Sequence, residues 1–229
     1  MAKTDEKPKA PAPAHRTKQA LAICVLATIA LTALDLWTKD LALEHLSTTP
    51  LGEPTPVCEA SEDGYMYPQR LATEPYEVIA GNLELRYAEN CGAAFSMLRD
   101  ASSFVRHAVF GTAATVASIA LFWMFWVGRG GRAFAWAVPL IVSGALGNLA
   151  DRVRLGYVVD FIRFYWEESL PLLGRQWPTF NVADITISIG VGLLLIDGYL
   201  EGKKEKEAEK KAEEKAKAAA AEKEAKAKA

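Results

Sequence analysis

Four long apolar runs constrain this chain more than any other feature. A helix needs about 20 apolar residues to cross the hydrocarbon core of a bilayer. Ala20–Trp37 is uncharged until Asp35, and His107–Val127 has no Asp, Glu, Lys or Arg. Ala133–Ala150 is uncharged, and Phe180–Ile196 is interrupted only by Asp184. Four such runs in 229 residues leave little room for a separate soluble core, which argues against buried helices of a soluble protein. The average composition, 51% hydrophobic and 24% charged, conceals this because the two classes are segregated: residues 201–229 alone hold 10 Lys and 8 Glu. The expected architecture is an all-α membrane protein of four transmembrane helices.

The first run follows a basic stretch, Arg16-Thr17-Lys18, as a cleaved signal peptide would. It is long for such a segment and no small-x-small site follows it. Leu21-Ala22-Ile23-Cys24 is a poor lipoprotein box, with its Cys near the start of the apolar run and bulky Ile before it. The run is therefore read as a retained helix. Lys and Arg placement sets orientation. Four spans put both termini on one side. That side, with the Gly128–Arg132 turn, holds 17 Lys and Arg against 9 on the other. Both termini are expected in the cytoplasm, with the long loops facing outward.

Residues 1–19 read as a disordered cytoplasmic arm and 20–200 as the membrane domain. Residues 201–229 read as a charged cytoplasmic tail. There Glu207/Lys211, Glu213/Lys217, Glu222/Lys226 and Glu224/Lys228 support a solvated, frayed extension of the last helix. In the first outer loop, residues 47–80 hold five Pro and look like an irregular insertion. Leu83, Leu85 and Tyr87 then alternate with Glu84 and Arg86, a half-buried strand pattern. It leads into Asn90-Cys91-Gly92-Ala93-Ala94-Phe95, whose small residues allow close backbone approach. A small extracytoplasmic β-sheet cradle is expected, because an unpaired strand in lipid would leave backbone groups unsatisfied.

Several chemistries are excluded or unsupported. The formal charge of −2 gives no basic field for nucleic acid. Cys24, Cys58 and Cys91 form neither a disulfide framework nor a zinc motif. His15, His45 and His107 lie far apart, with no H-E-x-x-H pair, so no metal is expected. Ser143-Gly144 lacks the Gly-x-Ser-Gly context of an intramembrane serine protease, and His107 is a poor match for its base. Ser96 with Lys39 as a Ser/Lys peptidase pair has no supporting motif.

Ionisable groups at membrane depth are costly and so become functional candidates. Asp35 and Lys39 lie one turn apart at the outer end of span one, where an interfacial ion pair closing the helix is the plainer reading. Asp151 and Arg152 follow span three. Asp160 and Asp184 are expected on consecutive spans, near the outer surface and facing each other. Two facing carboxylates sharing one proton are the minimum equipment of an aspartic protease. From spacing alone a proton or cation pathway explains the pair equally well. A proton-coupled transporter would place such carboxylates near the bilayer midplane, whereas these cluster at one face.

The strings around these residues are more specific. Asp35-Leu36-Trp37-Thr38-Lys39, Asn90-Cys91-Gly92-Ala93-Ala94-Phe95-Ser96, Gly147-Asn148-Leu149-Ala150-Asp151-Arg152, Gly156-Tyr157-Val158-Val159-Asp160-Phe161 and Phe180-Asn181-Val182-Ala183-Asp184-Ile185 occur in that order. Over about residues 20–200 the chain resembles the lipoprotein signal peptidase, or signal peptidase II, family of bacteria. The resemblance implies a multi-pass inner-membrane aspartic endopeptidase that cleaves prolipoproteins just before a diacylglyceryl-modified Cys, near the outer face. It needs no cofactor and is inhibited by globomycin. Its expected partners are lipid-modified precursors, membrane lipids and globomycin-type inhibitors, with the enzyme a monomer. Asp160 and Asp184 would form the catalytic dyad. Asn90, Asn148, Arg152 and Asn181 would bind substrate, with Asp35, Lys39, Gly92 and Asp151 supporting the site. The 47–80 insertion is longer than the family pattern leads one to expect.

Overall fold

The computed structural model describes residues 16–48, 57–59, 67–92, 103–170 and 174–227. Four helices are long and apolar enough to cross a membrane. They are α1 (Lys18–His45), α2 (Ser103–Trp126), α3 (Arg132–Arg154) and α4 (Val182–Ala227). Leu26, Ile29, Ile119, Trp123 and Leu195 point outward and exposed, as side chains facing lipid would. Helix α3 is the central element and packs on α1, α2 and α4. Its close approach to α1 depends on Gly147, where a Cβ would overlap Asp35 Oδ2. Small residues permit such contacts between membrane helices.

The helices outrun the apolar runs. Thr17 caps α1, its hydroxyl accepting from the Ala20 N–H at 3.2 Å. The helix continues past Trp37 because Lys39 and Ala42 keep a buried face beneath the sheet. Helix α4 continues without a break to Ala227, and one of the expected tail pairs, Glu213–Lys217, closes at 2.6 Å.

Between α1 and α4 the chain also builds an antiparallel sheet of order β1-β2-β3-β4. The strands are β1 (Tyr76–Ile79), β2 (Leu83–Asn90), β3 (Val158–Leu170) and β4 (Gly174–Gln176). Strand β1 lies inside the stretch expected to be irregular, and Ser47 bridges Ala72 there as well. Strand β2 is where the alternation puts it, but its burial does not alternate. A register shift between Leu85 and Ala88 turns the strand, so Glu84 and Tyr87 are the buried residues. Glu84 tolerates burial because Arg163 pairs with it at 2.5 Å across the strands.

Two further expectations are corrected. Asp160 lies on strand β3, not on a membrane helix, because Val158-Val159-Asp160-Phe161-Ile162 is a β-branched and aromatic run that pairs with β2. Cys58 and Cys91 are joined in a disulfide with Cα atoms 5.3 Å apart. Their spacing could not show this, since the end of β2 meets the insertion only in the folded chain.

The two ends of the bundle differ. At the sheet end, Ala42, Leu46, Tyr87, Tyr157, Val159 and Phe161 form a core between α1 and the strands. At the other end, the Arg16 guanidinium donates to the Arg129 and Gly130 carbonyls at 3.0 Å each. Buried Asp197 of α4 accepts from the N–H groups of Gly131 and Phe134 at 2.9 and 3.1 Å, capping α3. Residue 16, the α2–α3 turn and the mid-section of α4 thus share the end opposite the sheet.

Candidate active site

Asn181 is the N-cap of α4. Its Oδ1 accepts from the Asp184 N–H at 3.0 Å, and Asp184 Oδ2 accepts from the Asn181 N–H at 3.2 Å. This reciprocal capping box fixes Asp184 in the first helical turn. Asp160 arrives from the other side. Helix α3 ends at Arg154, Gly156 turns the chain at φ +86°, and β3 begins two residues later.

The side-chain amides tie the carboxylates together. Asn181 Nδ2 donates to Asp160 Oδ1 at 2.7 Å, and Asn90 Nδ2 donates to Asp160 Oδ2 at 2.9 Å. Asn148 Nδ2 donates to Asp184 Oδ1 at 3.0 Å. Asn181 Nδ2 also lies 3.2 Å from Asn148 Oδ1. The Gly92 N–H donates to Asn90 Oδ1 at 3.1 Å, which settles the orientation of the Asn90 amide. Arg152 donates to the Asn148 carbonyl at 3.0 Å and to the Gly92 carbonyl at 3.1 Å. Its charge is close enough to attract both Asp160 and Asp184.

Beneath this layer lies a buried ionic one. Lys39 is 0% and Asp35 1% exposed, so they are not the interfacial pair that the sequence suggests. The Lys39 ammonium donates to Asn148 Oδ1 at 2.8 Å and forms ion pairs with Asp35 Oδ2 at 2.8 Å and Asp151 Oδ2 at 3.2 Å. Asp35 Oδ1 accepts from the Ala183 N–H at 2.7 Å, at the positive end of α4. Asp151 Oδ2 accepts from the Val159 N–H at 3.1 Å, which clamps the start of β3.

Four carboxylates thus meet at one end of the bundle in two unlike environments. Asp35 and Asp151 share the single positive charge of Lys39. Among the described residues, no ion pair reaches Asp160 or Asp184. Burial, and then the negative charge of Asp184, push the Asp160 carboxyl up to about 7. One carboxyl of the pair is thereby able to hold a proton near neutral pH.

A cavity of about 400 Å³ opens beside these groups. Asn90, Asn148, Arg152 and Asp184 form its polar end, and Phe110, Ala114 and Leu149 belong to its apolar wall. A second, almost wholly apolar cavity of about 360 Å³ shares Ala114, Ala145 and Leu149 with the first and runs on between α2 and α3. Phe110, over which Arg152 stacks at 5.7 Å, escaped the sequence reading because one aromatic in an apolar helix carries no distinctive pattern. Tyr87 and Tyr157 carry no site role in the sequence reading, yet their hydroxyls meet at 3.0 Å under the sheet.

All ten residues singled out from the sequence therefore converge on one site. The discarded pairs do not. Ser143 is buried and donates to the Leu140 carbonyl at 3.0 Å. Lys39 is buried in ion pairs with Asp35 and Asp151, and Ser96 lies outside the described residues. Among the described residues, no group of three or more His, Cys, Asp or Glu side chains could hold a metal ion.

Known proteins share this arrangement of sequence and fold. A family model described as signal peptidase (SPase) II matches residues 27–200. A lipoprotein signal peptidase of an Anaeromyxobacter species is 35% identical over 189 residues, covering 80% of this chain and 87% of that one. A lipoprotein signal peptidase of Acinetobacter baylyi is 36% identical over 184 residues, covering 80% and 83%. A solved structure described as a bacterial membrane enzyme superposes with a TM-score of 0.56 at 26% identity, covering 83% of this chain and 94% of that one.

Proposed function

The chain belongs to the signal peptidase II family, and from that premise we propose that it is an aspartic endopeptidase of the bacterial inner membrane. It removes signal peptides from lipoprotein precursors, cutting just before a diacylglyceryl-modified Cys. The observation that carries the aspartic reading is the division among the four carboxylates. Lys39 lies in ion-pair contact with both Asp35 and Asp151, while Asp160 and Asp184 each accept from a side-chain amide and, among the described residues, pair with no cation.

The chemistry follows from that division. Asp160 and Asp184 hold one proton between them. The ionised carboxyl takes a proton from water, which attacks the scissile carbonyl. The protonated carboxyl polarises that carbonyl and then returns a proton to the leaving amine. Asn148, Asn181 and Asn90 hold the carboxylates in register, and Arg152 places a positive charge beside the substrate backbone. The apolar trough between α2 and α3 begins at the polar end of the cavity. It offers the acyl chains of the precursor a path in the bilayer while the peptide lies across Asp184.

The excess of Lys and Arg in the two terminal segments and the α2–α3 turn supports a cytoplasmic location for both termini. The Cys58–Cys91 disulfide at the sheet end supports the same topology, because disulfides persist on the oxidising side. The site then faces outward. The test is incubation of the purified chain with a diacylglyceryl-modified precursor, with and without globomycin. Cleavage directly before the modified Cys, blocked by globomycin, is expected; an intact precursor would reject the reading.

A further inference from the structure

The Cys58–Cys91 disulfide stands immediately beside the site. Cys91 lies between two residues that touch it: Asn90, whose amide donates to Asp160 at 2.9 Å, and Gly92, whose carbonyl accepts from Arg152 at 3.1 Å. The other cysteine belongs to the insertion. Cys58 is 3% exposed and packs in the core with Tyr87, Tyr157 and Phe161. Its backbone adopts φ +58°, and its neighbour Val57 packs so closely on the turn at Gly156 that a Cβ there would lie 2.6 Å from Val57 Cγ1. That turn joins the helix carrying Arg152 to the strand carrying Asp160.

A second tie acts on the other side of Asn90. The Glu89 carboxylate accepts from the N–H groups of Gln69 and Arg70, each at 2.8 Å. Asn90 is therefore flanked by two residues anchored to the same insertion, one by hydrogen bonds and one by a covalent bond. Strand β2 ends at Asn90, so β pairing does not reach Cys91 or Gly92.

We propose that the Cys58–Cys91 disulfide is a positioning device for the reaction. It ties the buried Val57–Cys58 segment to the end of β2 as a strut that holds the Asn90 amide on Asp160 and the Gly92 carbonyl on Arg152. The proposal rests on the peptidase reading above. Cutting the bond takes two electrons and two protons from a dithiol, which leaves as its cyclic disulfide while Cys58 and Cys91 become thiols. The strut then loses its covalent end. Asn90 disengages from a carboxylate that its hydrogen bond keeps more acidic. The pair binds protons more tightly as a result.

The test uses full-length enzyme in three forms: oxidised, reduced by a dithiol, and the Cys58→Ser/Cys91→Ser double variant. Cys24→Ala controls for thiol effects, since Cys24 is buried among the core residues of the opposite end. Thiol titration after denaturation distinguishes one free Cys from three. The reduced enzyme and the double variant are expected to lose about 10-fold in kcat/KM, the scale of one hydrogen bond to a charged group. Both limbs of their pH–rate profiles should move to higher pH, as in Asn90→Ala. The Asp160 titration, followed by carboxyl-carbon NMR, should move the same way. Unchanged kcat/KM and pH profile in the reduced enzyme would overturn the proposal. So would a slower enzyme with an unshifted profile and titration, which would make the bond a brace for the fold alone. If the oxidised enzyme cleaves no precursor, the peptidase reading fails by itself. The NMR titration then decides the disulfide's role, a shift on reduction supporting it and none overturning it.

Discussion

Lys39 and Asn148 are joined by a 2.8 Å hydrogen bond from the ammonium to Oδ1. That bond turns the other end of the amide, Nδ2, toward Asp184. One buried cation is thus shared by Asp35 and Asp151 and also orients the donor that faces Asp184. Structural and chemical carboxylates are coupled through a single side chain.

Removing the cation tests that coupling. Lys39→Met leaves two buried carboxylates uncompensated, a loss expected to cost about 3–5 kcal/mol. Thermal unfolding in micelles should show it. Adding Asp151→Asn removes one of the stranded charges and should recover part of the stability. Restored stability without restored kcat/KM would separate the orienting role of Lys39 on Asn148 from its charge. A Lys39→Met enzyme as stable as the wild type would contradict the buried network.

The dyad makes a sharper prediction. Asp160→Asn and Asp184→Asn keep the size of each side chain and the helix and strand that carry it, but cannot exchange the proton. Each should lower kcat/KM by about 10³-fold, within the usual range for a lost general acid or base, while circular dichroism and micelle behaviour stay those of the wild type. Near-normal turnover by either variant removes the assignment.

How much of this could be read from the chain follows from what each feature depends on. The four spans were legible because apolar length alone decides them. The ten candidate residues stand in strings that resemble a known family, and the fold brings those strings to one end of the bundle. Strand β3 is not legible from the chain alone, because the apolar run Val158-Val159-Asp160-Phe161-Ile162 reads as part of a span until its pairing with β2 is known. The burial of Glu84 depends on a register shift and on Arg163, which is 79 residues distant. Asp197 looks in the sequence like a charge at the end of a span, and only the α2–α3 turn gives it two N–H groups to cap. The disulfide likewise requires two segments that only the fold brings together.

The pH dependence follows from Asp160. Its carboxyl is raised from 3.8 to about 7, chiefly by burial. Between those values the folded protein holds a proton that the unfolded chain has released. The stability contributed is therefore full below about pH 4 and is lost as pH rises through 7, a change on the order of 1–4 kcal/mol. Asp160→Asn should flatten this decline in chemical denaturation curves measured from pH 5 to 8. For the wild type, kcat/KM should fall above about pH 7 as the dyad loses its shared proton. A rate still rising at pH 9 would show that another group supplies the acid.

The last prediction concerns what delivers the substrate. The polar end of the cavity lies at Asp184 and Arg152, and the apolar trough continues from it between α2 and α3. A soluble peptide would have to reach that level unaided. Each buried CH₂ contributes roughly 0.8 kcal/mol, so two acyl chains bring the Cys to the site far better than a free side chain could. Binding energy far from the scissile bond is then used to place that bond over the dyad. A lipidated precursor should therefore exceed the same sequence bearing a free Cys by at least about 10²-fold in kcat/KM, in the same micelles. Ala114→Phe, which fills the junction of the two cavities, should raise KM for the lipidated precursor and leave the slow cleavage of the free-Cys peptide unaltered. Equal kcat/KM for the two precursors would sink the lipid-guided mechanism while leaving the dyad in place.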